Sequence, residues 1–245
     1  MAPLVQLAND VLWAGDAARS TAEAVERVGQ ACEGFRQRAD RAGAEIARHA
    51  ARLIPDGSTV LTHSASDTVL RALVLARARN KRFGVICTES RPVSEGRAMA
   101  AKLAAARIPV TLIIDAAAAI HLKHARIVMV GADAVSLGGL INKAGTALLA
   151  AAASRLRKPV YALCDSTKLV PPGYRLSAEA PKDPREILGE SLAGVSVSNL
   201  YFDLTPLDWL TGVVTEEGIS TPAEIRRRLR RLRCHESLRL ARRRD

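Results

Sequence analysis

Residues 131–146 read GADAVSLGGLINKAGT, a stretch that combines an acid, a glycine pair, an amide, a lysine and a further glycine: Asp133, Gly138, Gly139, Asn142, Lys143 and Gly145. The apolar run Ile127-Val128-Met129-Val130 precedes them and an Ala/Leu-rich helical pattern follows. A carboxylate just past a strand, then glycine-rich backbone and a lysine at a helix start, suits a phosphorylated ligand. Free backbone N–H groups and the positive end of a helix dipole attract phosphate, and the lysine adds a point charge. Asp133 is placed to move protons. Plainer readings stand beside these: Asp133 as a loop or cap acid, Asn142 as a helix N-cap, Lys143 as a solvated first-turn lysine. A lysine in a first turn opposes the dipole, which favours a ligand or acidic partner for it.

The elements that must hold these groups are legible as short apolar runs alternating with helical patterns. Strands are predicted at 59–62, 83–88, 110–114, 127–131, 160–164 and 212–215, and helices at 67–79, 94–107, 116–123, 143–155 and 222–232. Continuous apolar runs mark strands buried on both faces, hence a parallel sheet between helix layers. The fold class is α/β: a Rossmann-like, doubly wound, mostly parallel sheet. Ligands of such sheets sit beyond the carboxyl ends of the strands. Those ends gather Thr62-His63-Ser64, Thr88-Glu89-Ser90-Arg91, Asp115, Asp133 and Cys164-Asp165-Ser166-Thr167-Lys168. Arg91 and Lys168 are further phosphate candidates, although Arg91, extended before Pro92, also has Glu89 or a neighbouring subunit as partners. His63 reads as a structural histidine. Adjacent strand residues point to opposite faces, so it does not activate Ser64.

Residues 1–56 form a short all-helical N-terminal segment with three amphipathic stripes: Leu4, Leu7, Val11 and Leu12; Ala22, Val25, Val28, Cys32 and Phe35; Ile46, Ala50, Leu53 and Ile54. Pro55-Asp56-Gly57 is a turn that separates it from the sheet domain, 57–232. Residues 165–206 are largely irregular and rich in Pro, Ser and Gly, a length that points to a site cover or an oligomer contact. The last part, 233–245, is a basic tail.

Apolar residues make up 48% of the 245 and aromatics 3%, so the core is built from aliphatic side chains. No apolar run is long enough for a membrane span, and no basic-then-apolar leader opens the chain; a cytoplasmic protein is expected. Cys32, Cys87, Cys164 and Cys234 have no metal-ligand spacing, so they read as free thiols, with no metal and no cofactor expected. Ten arginines against two acids from Arg226 onward account for +8 of the net charge of +11. Nucleic acid is therefore a candidate partner only through that tail.

With these motifs in order, the chain resembles the family of the alpha, beta and delta subunits of translation initiation factor 2B. That family includes methylthioribose-1-phosphate isomerase and ribose-1,5-bisphosphate isomerase. The resemblance rests on LTHSAS (61–66), TESRPVSEGR (88–97), IPVTLIIDAA (108–117), GAD (131–133), INKAGT (141–146), DSTK (165–168), FDLTP (202–206) and TEEGI (215–219). It implies that the isomerases' catalytic pair, a cysteine in the first strand-end loop and the aspartate of GAD, corresponds to Ser64 and Asp133. It also implies two departures: a serine where those enzymes carry the thiol, and no N-terminal Arg-Gly-Ala segment, with a helical part about half the usual length. A serine hydroxyl is a far weaker acid than a thiol.

Three functions follow as expectations. The first is a factor 2B alpha-like protein that binds a sugar phosphate or nucleotide phosphate without cysteine-dependent isomerase chemistry. The second is a divergent aldose–ketose isomerase of a phosphorylated pentose, with Asp133 shuttling a proton and Ser64 holding a substrate oxygen. The third is an oligomeric scaffold or regulatory subunit, since the resemblance implies a homo-dimer or higher oligomer through the C-terminal domain. In that reading FDLTP and Trp209 offer an apolar contact.

Overall fold

The computed structural model describes residues 2–174, 176 and 179–239. Helices α1 (Ala2–Asp16) and α2 (Thr21–Leu53) pack on each other at the start of the chain. Ser20 begins α2 by accepting the Glu23 N–H with its side chain. The three stripes of the sequence do not share one fate. Ile46, Ala50 and Ile54 are buried against α3 (Asp67–Ala78) and the sheet, whereas Val25 is 71% exposed and the first half of α2 lies outside both faces of the core. Nothing breaks the helical pattern between these stripes, so the second and third belong to one long helix.

The main sheet has seven strands in the order β10-β9-β7-β4-β1-β2-β3: β1 (Ser58–Thr62), β2 (Phe83–Thr88), β3 (Val110–Ile113), β4 (Ile127–Val130), β7 (Val160–Leu163), β9 (Gly212–Thr215) and β10 (Gly218–Ser220). All neighbours are parallel except the edge strand β10. Helices α4 (Glu95–Ala105), α5 (Ala118–His121), α6 (Thr146–Arg155) and α7 (Pro222–Arg231) complete the layers. Chain order reverses between β1 and β4, where Val60 pairs with Ile127 on one side and Val85 on the other. The crevice at such a reversal is where ligands of open α/β sheets bind.

A second, antiparallel sheet lies off the end of β4. It comprises β5 (Ala134–Ser136), β6 (Gly139–Lys143) and β8 (Phe202–Thr205). This corrects two expectations. Lys143 ends a strand rather than starting a helix, and Gly138 lies in a hairpin turn with Leu137 while Gly139 opens β6, so the glycine pair forms no phosphate loop. The physical reason is pairing: Leu140, Ile141, Asn142 and Lys143 register against Thr205, Leu204, Asp203 and Phe202, which local sequence cannot announce. Gly139 stands at φ +146°, and a Cβ there would meet the Thr205 carbonyl oxygen at 2.5 Å.

Residues 233–239 pack on α1. The Asn9 side chain donates to the Arg233 carbonyl and accepts the His235 N–H, and the His235 ring bonds the Asp16 carboxylate at 2.8 Å. The remainder of the expected tail, 240–245, lies outside the described residues.

Candidate functional site

At the reversal, β1 runs out into His63 and Ser64. Ser64 adopts a left-handed conformation, φ +65°, uncommon for a residue with a side chain. Its backbone N–H donates to Thr88 Oγ1 (3.3 Å), which lies 2.7 Å from His63 Nδ1, while His63 Nε2 lies 2.9 Å from the Ala144 carbonyl. A carbonyl only accepts, so Nε2 carries the proton and, in the neutral ring, Nδ1 accepts from the threonine hydroxyl. His63 is a buried strut between β2 and the start of α6, and Ser64 Oγ turns elsewhere.

Ser64 Oγ donates to Glu95 Oε1 at 3.1 Å, and the same oxygen receives Lys143 Nζ at 2.8 Å. The Lys143 ammonium also lies 4.1 Å from the centre of the Tyr201 ring, and its side chain is 8% exposed. The N-terminus of α6 is likewise satisfied from within. Asp203 Oδ2 accepts the N–H groups of Gly145 (2.8 Å) and Ala147 (3.0 Å). The bare amides read from the sequence are therefore capped by a carboxylate of β8. Gly145, at φ +108°, is needed because a Cβ would meet His63 Nε2 at 2.9 Å. Asn142 is a buried strand residue that donates to Thr146 Oγ1 and not the helix N-cap, which is Gly145.

Asp133 follows β4 and faces a cavity of about 570 Å³ that it shares with Asp203, Lys168 and Lys182. Ile141, Leu176 and Phe202 form apolar walls, and Ala2 and Pro3 of α1 reach its edge. Asp133 is exposed into this cavity, yet the protein mass around it raises its carboxyl pKa, partly offset by the ammonium groups of Lys168 and Lys143. Burial also raises Asp203, countered by the amides it accepts. Lys168 Nζ donates to the Ala132 carbonyl at 2.6 Å beside Asp133. Glu179, Ala180 and Lys182 line one side. Glu179 accepts the N–H groups of Tyr201 and Phe202, and the Tyr201 hydroxyl donates to Glu186, which pushes the phenol up to about 12.

The structure thus brings Ser64 and Lys143 onto one carboxylate and Asp133 and Lys168 into one cavity. The charge of Lys143 lowers the Asp133 pKa against the larger effect of burial, but neither Lys143 nor Ser64 lines the cavity. Arg91 is exposed and does not line the cavity, with Nη2 3.5 Å from the Glu186 carbonyl, while Glu89 pairs with Arg97. Gly138 lies exposed in its turn. Cys164 is fully buried and its thiol is pushed up to about 12, so it supplies no thiolate here. Glu95, Lys182, Tyr201 and Asp203 were assigned no ligand role from sequence. Glu95 and Asp203 lie inside motifs already quoted, TESRPVSEGR and FDLTP, and only a three-dimensional arrangement separates them from other surface acids.

Residues 5–222 match the model of the initiation factor 2 subunit family. A translation initiation factor eIF-2B subunit 2-like protein of Pyrococcus horikoshii is 37% identical over 189 residues, 77% of this chain and 67% of its own. A ribose 1,5-bisphosphate isomerase of Archaeoglobus fulgidus is 38% identical over 174 residues, 69% of this chain and 56% of its own. The crystal structure of translation initiation factor eIF-2B from Pyrococcus horikoshii OT3 superposes with a TM-score of 0.75 at 34% identity, covering 91% of this chain and 76% of that one. On sequence and fold together, the chain belongs to the initiation factor 2 subunit family.

Proposed function

We propose that the cavity binds a phosphorylated sugar or nucleotide, and that the chain does so without the thiol chemistry of the family's isomerases. The observation that carries this reading is the placement of Asp133 and Lys168 on one cavity beyond the carboxyl ends of β4 and β7. Its volume lies within the range of small-molecule sites. Carboxylates at Asp133 and Asp203 suit sugar hydroxyls as acceptors, and the ammonium groups of Lys168 and Lys182 suit a phosphate. The bare-amide seat expected from the sequence is no part of this reading, because Asp203 fills it.

Thermal denaturation with ribose 5-phosphate, ribose 1,5-bisphosphate, 5-methylthioribose 1-phosphate and adenosine monophosphate tests the proposal. A ligand present at about a hundred times its Kd stabilises by roughly 2.7 kcal/mol. For a chain of this size that is a rise of roughly 5–10 °C in melting temperature. No rise with any of the four at millimolar concentration overturns it.

The raised pKa of Asp133 favours a second reading, an aldose–ketose isomerase of a phosphorylated pentose. A carboxyl group whose pKa is lifted toward neutrality is a better match for moving protons at that pH. In this reading Asp133 shuttles the proton and Ser64 holds a substrate oxygen. Conversion of any of the three sugar phosphates by the purified protein decides between the two readings.

Self-association extends the proposal. Phe202, Leu204 and Trp209 are 36%, 54% and 39% exposed, and β8 is the edge of its sheet. Large apolar groups on a free edge suit burial against a second copy. Light scattering at micromolar concentration is expected to give at least a dimer, and a Leu204→Lys variant a monomer.

A further inference from the structure

We infer that Glu95 is a carboxylate latch on Lys143 and Ser64, and that a phosphorylated ligand engages these two residues by displacing it. The inference deepens the proposed function and rests on that reading. Glu95 Oε1 holds both donors at once, Lys143 Nζ at 2.8 Å and Ser64 Oγ at 3.1 Å. Glu95 Oε2 is buried with no hydrogen-bond partner among the described residues. The closed latch therefore spends one carboxylate oxygen well and leaves the other desolvated, a state that is costly for a charged acceptor. The Glu95 side chain is 27% exposed, so rotation toward solvent rehydrates both oxygens.

The backbone beneath Glu95 does not move with it. The Gly96 N–H donates to the Glu89 carbonyl at 3.0 Å, and Gly96 packs so tightly on the end of β2 that a Cβ would overlap the Thr88 carbonyl. Displacement is thus a side-chain rotation that frees Lys143 and Ser64 together. The latch also selects. Lys143 is too buried to lose its counter-charge to a neutral sugar, because an unpaired buried ammonium is costly. A phosphate, with a charge of about −1.5 to −2 near neutral pH, replaces one carboxylate charge and more. Phosphorylated ligands open the latch and their unphosphorylated counterparts leave it closed.

Calorimetry with inorganic phosphate as the probe tests this on the full chain. Glu95→Gln keeps size and an acceptor oxygen while removing the charge that competes with phosphate. It is expected to bind phosphate at least tenfold more tightly than the parent, and adding Lys143→Met to it is expected to abolish the gain. Glu95→Ala, which removes the latch altogether, is expected to show the same gain, so a folding defect in one variant does not hide the result. If the parent binds phosphate and neither Glu95 variant binds it more tightly, the latch is overturned and the proposed function stands. If neither the parent nor either variant binds phosphate, the latch is likewise overturned. Ribose phosphates that also fail with the parent then remove the proposed function as well. A loss of ribose 5-phosphate affinity in Glu95→Gln with phosphate affinity unchanged makes Glu95 a direct sugar contact and also overturns the latch.

Discussion

Gly96→Ala lowers the stability of the chain by about 3 kcal/mol, near the top of the range for overpacking. The melting temperature falls by roughly 6–12 °C as a result. A Cβ at this position lies 2.9 Å from the Thr88 carbonyl carbon, 3.0 Å from the Glu89 carbonyl carbon and closer still to the Thr88 oxygen. All three are main-chain atoms, so no side chain can swing away. Relief requires the first turn of α4 to separate from the end of β2. Thr88 is the residue that fixes the Ser64 N–H and meets the His63 ring, so that separation also disturbs the left-handed turn at Ser64 and the register of Glu95 on Lys143. A change in melting temperature below about 2 °C, as expected for a shift well under 1 kcal/mol, contradicts the close approach.

Most of the parallel strands could be read from the chain because they are short apolar runs buried on both faces, a pattern that local sequence carries; β3, at the sheet edge, leaves Thr111 and Leu112 exposed. Val128, Met129 and Val130 are wholly buried, and so are Val60 and Leu61. The second sheet could not be read that way. Its strands are three to five residues long, and two of them are joined by a glycine turn, so GLINK looks like a loop leading into a helix until β8 is known to lie alongside. The same missing partner hid the two substitutions in the site's electrostatics. Lys143 seemed free for a ligand because Glu95 lies far away in sequence, and the α6 amides seemed bare because Asp203 lies farther still. Motif order located the neighbourhood: Ser64, Asp133, Lys143 and Lys168 do converge at one end of the sheet. Which donors are already satisfied, and which acceptors are not, is a property of pairing between distant segments. Residue types alone left that open. The exposed stripe of α2 failed for a related reason, since amphipathic spacing identifies a face and not what covers it.

Two of the acids that line the cavity, Asp133 and Asp203, should respond in opposite ways to removal. Burial holds the Asp133 carboxyl above its ordinary pKa. Between the unfolded and folded values the folded chain binds more protons than the unfolded one, so stability falls as pH rises through that window. The cost is absent below the ordinary carboxylate range, near pH 3.9, and fully present above the folded pKa. Asn carries no such cost. Asp133→Asn is therefore expected to melt higher than the parent at pH 7, by an increment that fades as pH approaches 3. The same variant loses the acceptor that faces the ligand. Stabilisation by ribose phosphates falls to the level of at least a tenfold weaker Kd, and any isomerase turnover falls by about 10²–10⁴. Gain of stability with loss of binding is the signature of a charge retained for function. Asp203 also has a raised pKa, but its Oδ2 caps α6 through Gly145 and Ala147. Asp203→Ala leaves both amides without an acceptor and costs about 1–2 kcal/mol, while Asp203→Asn, which keeps an acceptor oxygen, recovers most of it. Melting curves of the three variants between pH 3 and pH 8 separate these effects. An Asp133→Asn protein less stable than its parent at pH 7, or one that keeps the full ligand-induced shift, removes Asp133 from the working part of the cavity.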